Sequence, residues 1–555
     1  MAEGAPKAAA VPTYQARTYP SDLTKFRYLV LEGGGGAGNA YVGAFRALQK
    51  EGILKYSGYR VDGMRGFAGS SAGALTALFL SCGYDPDEIA AISKLEDFTR
   101  FFDTVGKGWV PELGGFVRRG ISVDQVSIAG LRLDVLDLLM LYVALASSEG
   151  AITAKSAAAG IGPLLGTLAT RGLGALLDTA ATNKGGLLGL DNPEMTVRLK
   201  KLTAKLFETV ARTRAEAKGK PIGEGRLPST ITTQLTDNPK EAVESLVSDY
   251  GIFPGERVRQ FFLKWVTLAR VRVNKPTAFG DDFASLTDAD NRIQRMSSKW
   301  SSALDLRRNP GFNGAALNVG TWMHDAGGLT DAEYEHWQEA SKRGEGDAIS
   351  LGTTFANHAQ AFGALFMATG SNLSTQRTEL FSCHTTPGMF VEDAARISMS
   401  LPLIYKPYII RDATGLTVGN SVPEVVDLDY QGVWVDGGLY NNTPVQAFDP
   451  YLRPGEHVLT LRLGEDAFPD KILERGSLGG YLGTGYPLPL VGGAGETQLS
   501  ASLRYDPRVF VVPTGTLDLL SFDAKSKEVE DAQKEAMTQM EKQLKAPYRS
   551  AKRRR

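Results

Sequence analysis

The segment Gly69-Ser70-Ser71-Ala72-Gly73 constrains the fold of this chain more than any other. It follows the short apolar stretch Met64-Arg65-Gly66-Phe67-Ala68 and leads into Ala74-Leu75-Thr76-Ala77-Leu78-Phe79-Leu80. That order predicts a strand, a sharp turn and a helix. A serine at the centre of such a turn stands at a helix N-terminus, where free backbone N–H groups and the helix dipole favour developing negative charge. The small residues around it let the backbone turn and leave room for a substrate. Taken alone, the five-residue pattern fits a structural turn equally well.

The glycine cluster Gly33-Gly34-Gly35-Gly36-Ala37-Gly38 lies in a similar setting. It follows the apolar run Phe26–Leu31 and precedes a helical pattern, Asn39–Lys50, with Tyr41, Ala44, Phe45 and Leu48 on one face. Its spacing satisfies the dinucleotide fingerprint, yet no acidic residue ends a second strand about 20 residues on, as ribose binding requires. No Lys-Ser/Thr follows, so it is not a P-loop. The alternative is an oxyanion hole, because no side chain blocks these N–H groups from converging on a substrate oxygen.

A serine hydroxyl needs a base. Two candidates follow Ser71. His457 begins an apolar strand and would complete a Ser…Asp…His order. Asp436 ends the apolar run Val433-Trp434-Val435, and Gly437 and Gly438 clear space in front of it. The residues alone leave both open.

Other chemistries are poorly served. Net charge is −1, which points to no nucleic-acid partner. Two cysteines, Cys82 and Cys383, exclude a disulfide framework, and the five histidines form no HxxxH or HExxH pair, so no metal site is expected. The fifteen-residue run Ser156–Thr170 is broken by Gly160, Gly162 and Pro163 and is too short to span a bilayer. Residues 1–23 lack the apolar core of a Sec signal peptide and read as a flexible arm. Residues 546–555 form a basic tail.

The remaining pattern gives an α/β fold with a mostly parallel central sheet sandwiched by helices. Strand signals fall at Ala364–Ala368, Glu379–Ser382, Val433–Val435, His457–Leu463 and Val509–Val512, with helices over Asp87–Leu95 and Val391–Ser400 and another opening at Asp523. Residues 105–247 read as a large, mostly helical insertion, with Leu133–Leu190 as a lid or interfacial candidate. A second insertion covers 266–350, irregular and polar from about Thr277 to Ser350.

Together, the glycine loop, the Gly-x-Ser-x-Gly turn and the Asp-Gly-Gly segment resemble the patatin-like phospholipase family. Further segments are similar to it: Leu29–Glu32 with Ala40–Ala44, Gly251–Glu256, Thr369–Thr375, Ala395–Pro402 and Asp436–Pro444. The bacterial secreted-toxin phospholipases are nearest in style. The resemblance covers residues 24–104, 248–265 and 351–545, which read as the catalytic domain.

It implies a lipid acyl hydrolase of the phospholipase A or lysophospholipase type. Ser71 would be the nucleophile and Asp436 the base of a dyad, and Gly34, Gly35, Gly36 and Ala72 would form the oxyanion hole. Gly33, Gly38, Gly69, Gly73, Gly437 and Gly438 would shape these motifs. The resemblance implies no metal or other cofactor, a phospholipid or other lipid ester as substrate, and peripheral membrane contact. The expected location is the cytoplasm, or outside the cell by a route without a Sec signal. The family usually carries Arg or Lys where this chain has Ala37, which bears on rate and headgroup preference more than on reaction class.

Overall fold

The alternation of short apolar runs with amphipathic stretches builds a layered sheet. A computed structural model describes residues 23–102, 110–114, 117–121, 245, 251–303, 320–342, 351–422, 424–464, 509–517, 521–522 and 524–545. Strand β1 (Phe26–Leu31) leads through a 3-10 turn (Gly35–Ala40) into α1 (Tyr41–Lys50). A small hairpin, β2 (Lys55–Ser57) and β3 (Arg60–Asp62), precedes β4 (Gly66–Gly69), α2 (Ala72–Ser81) and α3 (Pro86–Leu95). Next come β5 (Val110–Gly114), β6 (Val117–Ile121), β7 (Gly251–Phe253) and the helices α4 (Glu256–Asn274), α5 (Ala289–Ala303), α6 (Asp331–Lys342) and α7 (Phe355–Phe362). The later part holds β8 (Leu365–Asn372), β9 (Arg377–Ser382), α8 (Val391–Ser398), β10 (Leu403–Tyr405), β11 (Tyr408–Asp412), β12 (Gly432–Asp436), β13 (His457–Leu463), β14 (Val509–Val512) and α9 (Ser526–Lys545).

Ten of these strands form one mixed sheet, in the order β14-β13-β1-β4-β8-β12-β11-β5-β6 with β9 also on β8. The run from β14 to β8 is parallel throughout. This is the expected α/β sheet. Along β1 the side chains alternate between two environments, as pleating requires. Leu29 and Leu31 join the main core with Phe45 of α1 and Leu78 of α2. Tyr28 and Val30 join a smaller cluster with Ala447 and Phe448, and the Tyr28 and Phe448 rings stack at 4.5 Å. Burying a leucine of this kind stabilises the fold by roughly 1.5–3 kcal/mol. Helix α9 closes on α1 at Gly43, where an added Cβ would lie 1.8 Å from Gln533 O.

Three expectations change. The stretch from 105 is expected to be helical, yet Val110–Gly114 and Val117–Ile121 pair as the antiparallel strands β5 and β6, which extend the sheet beyond β11. The stretch expected to be irregular, from about Thr277 to Ser350, contains α5 and α6. In α5, Ile293, Met296 and Trp300 recur at helical spacing and are buried, a face hidden in the sequence by the polar residues around it. The strand expected over Ala364–Ala368 continues to Asn372. The arm, most of the first insertion with Leu133–Leu190, and the basic tail lie outside the described residues.

Candidate active site

Ser71 sits between the end of β4 and the start of α2 with φ 51° and ψ −124°. This is a conformation non-glycine residues rarely hold, and it persists only where the surroundings enforce it. The enforcement is visible. An added Cβ at Gly69 would lie 2.3 Å from the Gly73 carbonyl carbon, and one at Gly73 would lie 2.4 Å from Leu31 O. The turn therefore closes only with glycine at both places. Ser71 O accepts from Ala74 N at 2.9 Å and Leu75 N at 3.1 Å, and Ser71 N donates to Ser398 Oγ at 3.0 Å.

Asp436 is the last residue of β12 and is 3% exposed. Its Oδ1 accepts from Gly438 N at 2.7 Å, and its own N–H donates to Ser400 O at 2.9 Å. The sheet register places it beside the serine turn. β9 occupies one edge of β8 over Met367–Asn372. Both β4 and β12 must therefore use the other edge, with Gly69 opposite Ala368 and Asp436 opposite Gly370. β4 is parallel to β8 and β12 antiparallel, so their C-terminal ends face each other head to head across Thr369. Two residues of rise put the Gly69 and Asp436 backbones about 7 Å apart along that edge. Thr369 Oγ1 donates to Gly69 O at 3.5 Å, and a Cβ added at Gly437 would lie 2.0 Å from Thr369 Oγ1.

The glycine loop closes the third side. Gly33 N donates to Asn442 O at 3.0 Å, and Asn442 Nδ2 donates to Gly33 O at 3.0 Å. The buried Glu32 carboxylate anchors the base of the loop. It accepts from Leu463 N at 2.5 Å and Asn442 Nδ2 at 3.4 Å, with Arg462 Nε 3.6 Å away. Gly35 has φ +54°, which only glycine adopts freely. A Cβ at Gly38 would lie 3.0 Å from Ala72 Cβ, so the loop rests on the serine turn. The N–H groups of Gly35, Gly36 and Ala72 belong to the first turns of their helices, Gly34 immediately precedes the first of these turns, and none of the four takes an acceptor from other elements among the described residues. An apolar crevice opens beside them, lined by Val42, Leu75, Ile89, Phe98, Phe101, Met399 and Phe522. Ala37 is 4% exposed and packs in the core, so position 37 supplies no cation to the site.

His457 lies elsewhere. It pairs with Phe26 at the start of β1, whereas the serine turn follows Gly69 opposite Leu31 at the other end. Five residues of rise separate these levels, roughly 16 Å. Burial and the Lys25 charge hold the His457 imidazole below its usual pKa. No cluster of three His, Cys, Asp or Glu suited to a metal occurs among the described residues, and no described helix is long and apolar enough to cross a membrane. A larger groove lies between β14 and α9, rimmed by Asp531, Lys534 and Lys542, and none of the glycine-loop or serine-turn residues lines it.

Sequence reasoning missed Glu32, Thr369, Ser398 and Asn442 as parts of the site. Each is a buried polar residue adjoining a motif, and that adjacency was the available signal.

A family model described as patatin-like phospholipase matches residues 29–449. No curated protein matches the sequence. Among solved structures, VipD from Legionella pneumophila is similar at 15% identity, covering 95% of this chain and 67% of that chain with a TM-score of 0.35.

Proposed function

We propose that this chain, which belongs to the patatin-like phospholipase family, hydrolyses lipid esters with Ser71 as nucleophile and Asp436 as general base. The observation that supports this reading is the head-to-head approach of β4 and β12, whose C-terminal ends carry the serine turn and the aspartate and lie two residues apart along β8.

In this mechanism Ser71 Oγ attacks the ester carbonyl as its proton passes to the Asp436 carboxylate. The carbonyl oxygen becomes an oxyanion and is received by the N–H groups of Gly34, Gly35, Gly36 and Ala72. One such donor contributes about 3–4 kcal/mol of transition-state stabilisation. The intermediate collapses, the ester C–O bond breaks, and Asp436 returns the proton to the departing alcohol. Water then gives a proton to Asp436 and its oxygen attacks the acyl-serine; the C–Oγ bond breaks, Asp436 returns the proton to Ser71 Oγ, and the fatty acid leaves. The crevice lined by Leu75, Phe98, Phe101 and Phe522 is apolar, as an acyl-chain site must be, and its volume of about 50 Å³ takes only the first few carbons of a chain unless it widens. The substrate class is a phospholipid or lysophospholipid presented at a membrane surface.

Reaction with a fluorophosphonate ester tests the nucleophile directly. Wild type should label at Ser71 and Ser71→Ala should not. Absence of labelling in wild type would instead mark the chain as a binding module.

A further inference from the structure

The turn that ends α8 touches both members of the proposed pair. Ser398 Oγ accepts the Ser71 N–H at 3.0 Å. Two residues on, Ser400 O accepts the Asp436 N–H at 2.9 Å. Both serines are fully buried. The same turn is fixed from behind by Arg396. Its Nε donates to Gly255 O at 3.1 Å, its Nη2 to Pro254 O at 2.6 Å and Lys406 O at 3.2 Å, and its Nη1 to Ser400 Oγ. Four separate chain segments thus meet at residues 396–400.

The contact answers a need of the serine turn. Ser71 precedes the first turn of α2, so its N–H has no intrahelical acceptor. Its backbone is also held in a sparsely populated conformation that relaxes unless the surroundings fix it. Ser398 supplies the acceptor and a fixed point. A reacting atom displaced by about 1 Å costs on the order of 100-fold in rate.

We infer that Ser398 is a positioning residue: its hydroxyl holds the Ser71 backbone while Ser400 holds Asp436, so one buried turn sets the spacing of the pair. This rests on the dyad reading above.

The test uses the full chain as Ser398→Ala and Ser398→Cys, beside wild type and Ser71→Ala, on the soluble ester p-nitrophenyl butyrate. In Ser398→Ala, kcat should fall about 10- to 100-fold with KM within about twofold. Ser398→Cys should fall between, since sulfur is a weak acceptor of similar size. The rate of fluorophosphonate labelling at Ser71 should follow the same order. A packing role alone would lower the melting temperature yet leave kcat per folded molecule and the labelling rate at wild-type values, and that result overturns the inference. If Ser398→Ala does not fold, wild-type kcat in a folded Ser398→Cys overturns it equally. A fully active Ser71→Ala would remove the dyad reading itself. An inactive Ser71→Ala beside a fully active Ser398→Ala removes only the positioning role.

Discussion

Gly33 and Asn442 hold each other by two hydrogen bonds, Gly33 N to Asn442 O and Asn442 Nδ2 to Gly33 O, both at 3.0 Å. The pair locks the glycine loop to the segment that follows Asp436. Asn442→Ala removes the side-chain half and leaves Gly33 O buried without that donor. The expected cost is about 1–3 kcal/mol in urea unfolding, together with at least about a tenfold fall in kcat. Unchanged turnover would show that the two loops keep their register without this clasp.

His457 should be dispensable for chemistry. It stands at the opposite end of β1 from the serine turn and contacts Phe26 edge-on at 6.3 Å. His457→Ala should keep kcat on a soluble ester within about threefold of wild type and lose at most a modest packing contribution. Abolished turnover in a folded variant would restore the triad alternative.

Gly73 tests the turn rather than the chemistry. A Cβ there would lie 2.4 Å from Leu31 O and 2.7 Å from Glu32 O, both backbone atoms. Gly73→Ala should therefore cost at least about 3 kcal/mol in chemical denaturation and reduce the yield of folded protein.

Much of this site was legible because its pieces are local. The apolar runs Phe26–Leu31 and His457–Leu463 are strands with the expected bounds, and the small residues around Ser71 mark the turn. The strand into Asn372 was harder to read, because Thr369, Gly370, Ser371 and Asn372 are small or polar and owe their place to pairing with β9 and β12. The head-to-head meeting of β4 and β12 follows only from which edge of β8 the strand β9 occupies, a fact no local pattern carries. Helices α5 and α6 were masked by their polar composition. Ser398 and Asn442 act through contacts 327 and 409 residues away in sequence.

The Arg270–Glu333 pair ties α6 to α4 and gives a pH prediction. Burial alone would raise the Glu333 pKa, but the Arg270 charge and hydrogen bonds from Arg270, Thr330 and Asn357 outweigh it and hold the carboxyl below its ordinary range. A depressed folded-state pKa contributes stability that is fully present above the unfolded value, near 4.3, and is lost as pH falls through the folded value. Glu333→Gln should cost about 3 kcal/mol at neutral pH, and the gap between wild type and variant should close on acidification below about pH 4. A gap constant with pH would contradict the ion-pair origin.

The most direct measurement is fatty acid release from phospholipid vesicles by wild type, Ser71→Ala and Asp436→Asn, each shown to be folded. Wild type should release fatty acid, and both variants should lose about 10³-fold or more of that rate. Release at the wild-type rate by both variants would contradict the Ser71–Asp436 assignment.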